Sequence, residues 1–230
     1  MSDILSHLLQ SQALEQEINQ LGLRNQVNSL RRWQCSRLLF SYDQLYQQKQ
    51  YRSAMDFFTD ELYGPNDFTK RDEDIKKVLP LMEKVLSKET IATFELALKL
   101  NTLSYQLDFE LVRNLDGITD ISSEHYAQAY RNCNNLEQRK LQLELIEMLA
   151  NNLAGIADRT SIMLVLKLSR KPAKLAGLGE LQAILERGAN AFRKIKKIDD
   201  FIKPILQGET VIMQSLFSGN NCLPEKFIIN

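Results

Sequence analysis

Between Lys88 and Asn114 the chain reads KETIATFELALKLNTLSYQLDFELVRN, with apolar residues three and four apart and no glycine or proline to interrupt them. That period marks an amphipathic α-helix, and a helix this long needs other apolar faces to cover its own. The same spacing recurs elsewhere. Nine glycines and five prolines are few for 230 residues, and valine and isoleucine do not fall in alternating runs, so the period-2 pattern of strands is missing. The expected fold is all-α: a single-domain, multi-helix array over residues 1–230, with about 8–10 helices in antiparallel, orthogonal or bundle-like packing. Residues 25–114 form its motif-bearing half and 122–217 its C-terminal half.

Breaks are expected at 21–24, 64–67, 114–120, near 134, at 169–172 and at 218–221. They leave a short N-terminal helix and helices near 26–47, 51–63, 70–86, 88–114, 122–133, 137–157, 161–168, 173–197 and 199–217. Pro80 and Pro204 fall inside two of these, where each removes a backbone hydrogen bond and is expected to kink or split its helix. The apolar end of the chain, with Phe227, Ile228 and Ile229, is expected to dock on the body or on a second subunit.

Composition narrows the partners. The 29 basic and 29 acidic residues cancel, so no overall field draws the chain to nucleic acid. Locally the balance fails: residues 159–203 hold 11 basic against 4 acidic residues, leaving 18 against 25 elsewhere. A nucleic-acid face would add aromatic or polar base readers, and Phe192 is the only nearby aromatic before Phe201. Every apolar run is broken by charge well before the roughly 20 residues a bilayer requires, and the opening MSDILSHLLQ lacks a basic leader region. A soluble, cytoplasmic protein with no membrane partner is expected. Cys35, Cys133 and Cys222 are odd in number and lack CxxC spacing, so they read as reduced thiols packed like small hydrophobes.

The segment 51–75, YRSAMDFFTDELYGPNDFTKRDEDI, crowds aromatics, carboxylates and a Gly-Pro stop. At about 100° per residue, Tyr51, Ala54, Met55, Phe58 and Leu62 share a face, with Asp56 and Asp60 opposite. Glu61 falls at the edge of the apolar face beside Phe57 and Phe58, so it is expected to need a partner, Arg37 or Arg71. Gly64 suits a left-handed helix end, and Thr69 with Asp72 has capping-box spacing. Asp67 and Arg71 are less fully explained by capping. On 88–114, Glu95, Lys99, Thr102, Gln106 and Glu110 form the water-facing stripe, which places Asn101, Ser104 and Asp108 in a buried row. A buried aspartate invites an arginine, again Arg37 or Arg71. Cys35, Leu38, Tyr42 and Leu45 form the main apolar face of 26–47.

Seven residues, Phe57-Phe58-Thr59-Asp60-Glu61-Leu62-Tyr63, resemble the Phe-Phe-Leu-Glu-Glu-Leu-Tyr run of the bacterial FFLEELY-motif proteins. Gly64-Pro65, Asp67-Phe68, Arg71-Asp72 and AGLGELQAILERGANAF are similar to that family's downstream pattern, so the resemblance spans most of the chain. Thr59 and Asp60 depart from it, both on the outward face by this phase. The resemblance implies a cytoplasmic bacterial helical protein and transfers no reaction, cofactor or catalytic residue.

Enzymatic signatures are thin. His7 and His125 have no partner at metal-ligand spacing, no Glu-x-x-His pair occurs, and no serine or cysteine triad is recognisable. No metal site and no cofactor is expected. The favoured function is a non-enzymatic interaction or scaffold protein, working with a protein partner or as a homo-oligomer. The alternative is a small-molecule-binding or enzymatic pocket built on Arg37, Tyr42, Tyr51, Glu61, Tyr63, Asp67, Arg71, Asn101, Ser104 and Asp108; nucleic-acid binding through the basic third ranks last.

Overall fold

The computed structural model describes residues 3–64, 69–157 and 160–224. Among them it contains eleven α-helices, one π-helical turn and no strand: α1 (Asp3–Gln20), α2 (Arg24–Ser41), α3 (Asp43–Tyr46), α4 (Lys49–Phe57), the π turn (Phe58–Leu62), α5 (Thr69–Val85), α6 (Lys88–Asn114), α7 (Ser123–Asn132), α8 (Leu136–Ala157), α9 (Thr160–Leu175), α10 (Gly179–Phe192) and α11 (Ile198–Phe217). The all-α expectation holds, with one helix more than the upper estimate because 26–47 divides at Tyr42.

Local chemistry sets several of these boundaries. Ser87 takes the backbone N–H of Thr90 at 3.3 Å and so satisfies one of the free donors at the start of α6. At α7 the Ser122 hydroxyl accepts from the His125 N–H at 3.1 Å, while His125 Nδ1 accepts from the Ser122 N–H at 3.4 Å. His125 is thus committed to a reciprocal cap.

The long helix is the hub. α6 is covered by α1, α2, α5, α7 and α8; α8 also packs on α10 and α11, and α10 on α4, α5 and α9. Leu107, Leu111 and Val112 on α6 are fully buried, each contributing about 1.5–3 kcal/mol as an upper bound. Close approach needs small residues at two contacts. A Cβ on Gly188 would lie 2.7 Å from the Phe57 ring, and one on Gly208 would lie 2.4 Å from the Tyr42 hydroxyl. The glycines let α4 seat against α10, and Tyr42 against α11.

Several sequence expectations fail for identifiable reasons. No break occurs at 169–172: Pro172 lies inside α9, which runs on to Leu175 before the turn at Gly177 (φ +76°). Pro80 and Pro204 sit within helices that are not split at either residue, so of the two expected effects splitting does not occur. Gly64 is not left-handed; its lack of a side chain matters because a Cβ there would lie 2.5 Å from the Thr59 carbonyl oxygen. Thr59, placed outward by regular helical phase, is buried and donates to the Met55 carbonyl at 3.1 Å. The wider π turn that begins at Phe58 rotates the residues after it away from the 100° progression. Asp67 and Phe227–Ile229 lie outside the described residues.

Candidate functional site

The buried seam of α2 is Val27, Leu30, Arg31, Gln34 and Arg37, apolar at one end and polar at the other. Placed against α6, that polar end meets Asp108, only 1 % exposed. Arg31 Nε donates to Asp108 Oδ2 at 3.1 Å, and the Tyr63 hydroxyl donates to Oδ1 at 2.7 Å. The Gln34 amide also touches the Tyr63 hydroxyl and reaches Tyr126 at 3.4 Å. The Arg31 guanidinium lies 4.4 Å from the centre of the Tyr105 ring, a cation–π contact. Burial first, then the neighbouring Asp108 charge, pushes the Tyr63 hydroxyl well above the usual tyrosine range and keeps it a donor.

A second cluster forms one turn further along α2. Arg37 grips Glu209 of α11 with both terminal nitrogens, the longer bond being 2.9 Å, and Tyr42 donates to the same carboxylate at 2.9 Å. Arg37 is therefore a buried partner, as expected, though of Glu209 and not of Asp108 or Glu61. Glu61 pairs with Arg187 of α10 at 2.6 Å, the side chains 23 % and 52 % exposed respectively. That is a half-exposed ion pair and no buried acid. Arg71 holds its neighbour Asp72 at 2.8 and 3.0 Å. Tyr51 is a core residue tilted against Phe201, ring centres 5.2 Å apart.

The buried row on α6 is real at two of its three positions. Ser104 and Asp108 are buried, whereas Asn101 is only partly so. Thr102, expected in water, is buried and hydrogen-bonded to Ser11 at 2.9 Å, because α1 covers that face. Glu110 is half-buried and accepts from Asn135 at 2.6 Å.

Between α2, α6, α8, α10 and α11 lies a cavity of about 410 Å³. Its walls are mainly apolar, with Leu38, Phe57, Leu100, Ile146, Leu153 and Phe192 among them; Arg31, Arg37, Tyr63, Arg71, Asn101 and Ser104 also line it. Tyr42, Tyr51, Glu61 and Asp108 do not. Arg31, Gln34, Tyr126, Arg139, Gln142 and Glu209 at the cavity were absent from the sequence candidates. A signal for Arg139 existed: with Gln142, Ile146, Leu149 and Leu153 it follows a three-and-four spacing along the inward face of α8.

What these groups do chemically is bind and hold protons. Burial pushes the Cys35 thiol up to about 12, so it is no thiolate at neutral pH. Asp108 and Glu209 are each already held by an arginine and a tyrosine. Among the described residues no group of three His, Cys, Asp or Glu side chains converges to hold a metal ion, and no helix is long and apolar enough to cross a membrane.

A family model matches residues 13–222, a span that includes every residue lining the cavity. The chain belongs to that family, the domain of unknown function DUF8198. No curated protein and no solved structure matches it. What distinguishes this DUF8198 chain is the cavity and the polar groups that line it.

Proposed function

We propose that this protein binds a small apolar or amphiphilic molecule in the cavity between α2, α6, α8, α10 and α11. The observation that carries the reading is the cavity itself. A volume of about 410 Å³ falls within the range of small-molecule sites, and apolar walls with a few convergent polar groups are their usual chemistry. A tightly packed core leaves few voids larger than a water molecule. A cytoplasmic setting and kinship with the FFLEELY-motif proteins belong to the same proposal.

The test is extraction of the purified protein with organic solvent, alongside native mass spectrometry, and titration with a neutral apolar dye. Co-purifying ligand or saturable dye binding is expected, and Ala150→Phe, which fills the wall at a buried lining position, abolishes it. A protein that carries nothing and binds no dye overturns the reading.

A second reading, protein interaction, has its own observation. α9 presents Leu164, Leu168 and Leu175 in one exposed strip among the exposed Lys167, Lys171 and Lys174. Two copies of that face would bring lysines together, so it suits a partner helix with an apolar strip and acidic flanks. The protein alone is then a monomer in light scattering; dimerisation lost on Leu168→Glu overturns this assignment in favour of self-association.

A further inference from the structure

Arg139 stands in the first turn of α8 and is only 5 % exposed. Its Nη1 donates to Gln142 Oε1 at 3.3 Å, and its guanidinium lies 4.6 Å from the centre of the Tyr130 ring. Its Nε and Nη2 have no hydrogen-bond partner, and among the described residues no carboxylate comes within ion-pair distance of it. A buried guanidinium stays charged, and leaving its donors unmet is costly. The nearby acids are already engaged: Asp108 by Arg31 and Tyr63, Glu209 by Arg37 and Tyr42.

The vacant edge is the informative one. Nε and Nη2 share one edge of the planar guanidinium, an edge that can receive a carboxylate with two parallel bonds. Arg170 uses that edge in this protein, holding Glu186 through Nε at 2.7 Å and Nη2 at 2.6 Å. From Arg139 the inward face of α8 continues through Gln142, Ile146, Leu149 and Leu153, all lining the cavity, over about 21 Å of helix. One end of that path, Arg139 with Gln142, is polar and cationic, and the rest, from Ile146 to Leu153, is apolar.

We propose that the cavity ligand is a single-chain amphiphile with a carboxylate head, the head bound side-on by Nε and Nη2 of Arg139 and the alkyl chain laid along α8. The assignment rests on the cavity reading above and names its ligand class. Gln142 is a positioning residue: it holds Nη1 and is itself fixed by the 2.8 Å bond that its Nε2 donates to Ser104.

The experiment titrates the delipidated full-length protein with dodecanoate, dodecanol, dodecylamine and dodecyl phosphate below their micellar concentrations. Calorimetry gives affinities, and Trp33, the one tryptophan, reports by fluorescence because it stacks on the cavity-lining Tyr126 at 4.3 Å. Dodecanoate is expected to bind about tenfold or more tightly than dodecanol, with dodecylamine weakest. Arg139→Gln removes that preference and leaves dodecanol binding intact; Arg139→Lys restores part of it. Equal binding of dodecanoate and dodecanol, or a preference that survives Arg139→Gln, overturns the head-group assignment while the cavity reading stands. Dodecyl phosphate binding more tightly than dodecanoate overturns the carboxylate class. Binding of none of the four overturns both readings. Where Arg139→Gln fails to fold, the wild-type series decides the ligand class and Arg139→Lys, which keeps the charge and loses the two-bond edge, decides the residue: an unchanged preference in that variant overturns the assignment to Arg139.

Discussion

Tyr63 donates a 2.7 Å hydrogen bond to Asp108, 45 residues further along the chain, and so ties the end of the π turn to the buried face of α6. Arg31 holds the other carboxylate oxygen at 3.1 Å, which makes Asp108 the meeting point of three separate segments. Removing one member of such a buried set leaves the others uncompensated. Asp108→Ala is expected to cost roughly 3–5 kcal/mol, because Arg31 then remains charged in the core. Tyr63→Phe is expected to cost about 1–3 kcal/mol. Denaturant midpoints measure both; a loss under about 1 kcal/mol for Asp108→Ala would contradict the buried pair.

The two glutamate pairs separate by burial. Glu209 is gripped by Arg37, whose side chain is buried, while Glu61 meets a half-exposed Arg187. Glu61→Gln is expected to change stability by no more than about 1 kcal/mol. Glu209→Ala is expected to cost roughly 3 kcal/mol or more, since it strands the Arg37 charge. Thermal melts of the two variants side by side decide it, and equal losses would contradict the difference in burial.

Thiol reactivity follows the same logic. Burial pushes Cys35 up to about 12 and Cys133 up to about 11, whereas Cys222 is exposed. A chromogenic disulfide reagent at pH 8 is expected to modify one thiol quickly and two slowly. Cys222→Ser removes the fast phase. A fast phase that persists in that variant would show Cys35 or Cys133 to react as freely as an exposed thiol, against their partly buried positions.

Alkaline pH provides a fourth check. Burial raises the hydroxyls of Tyr42, Tyr63, Tyr126 and Tyr130 above the ordinary tyrosine value of about 10. In the unfolded chain these groups release their protons near pH 10, and in the folded chain they keep them. Their contribution to stability is therefore fully present below about pH 10 and is lost as pH climbs above it. Melting midpoints between about pH 8 and 11 are expected to fall only on the alkaline side, with tyrosinate absorbance rising together with unfolding. Tyrosinate that appears fully before unfolding would show the hydroxyls to be open to solvent.

The all-helical character was legible in the sequence, because helix formation depends on spacing along one segment: the apolar period of α6 and the rarity of glycine and proline are local properties. The burial of Ser104 and Asp108 followed from the same period. Partnership did not. Asp108 chose Arg31 over Arg37 because the buried seam of α2 runs through Val27 and Leu30, whereas the sequence also offered a face through Cys35 and Leu38. Glu61 left the core because a π turn broke the regular phase, and Thr102 entered it because α1 happens to lie there. The free edge of Arg139 is the most tertiary fact of all. Whether a buried arginine has a carboxylate depends on where every acid in the fold has been placed and which cations reached it first, and no spacing within α8 records that.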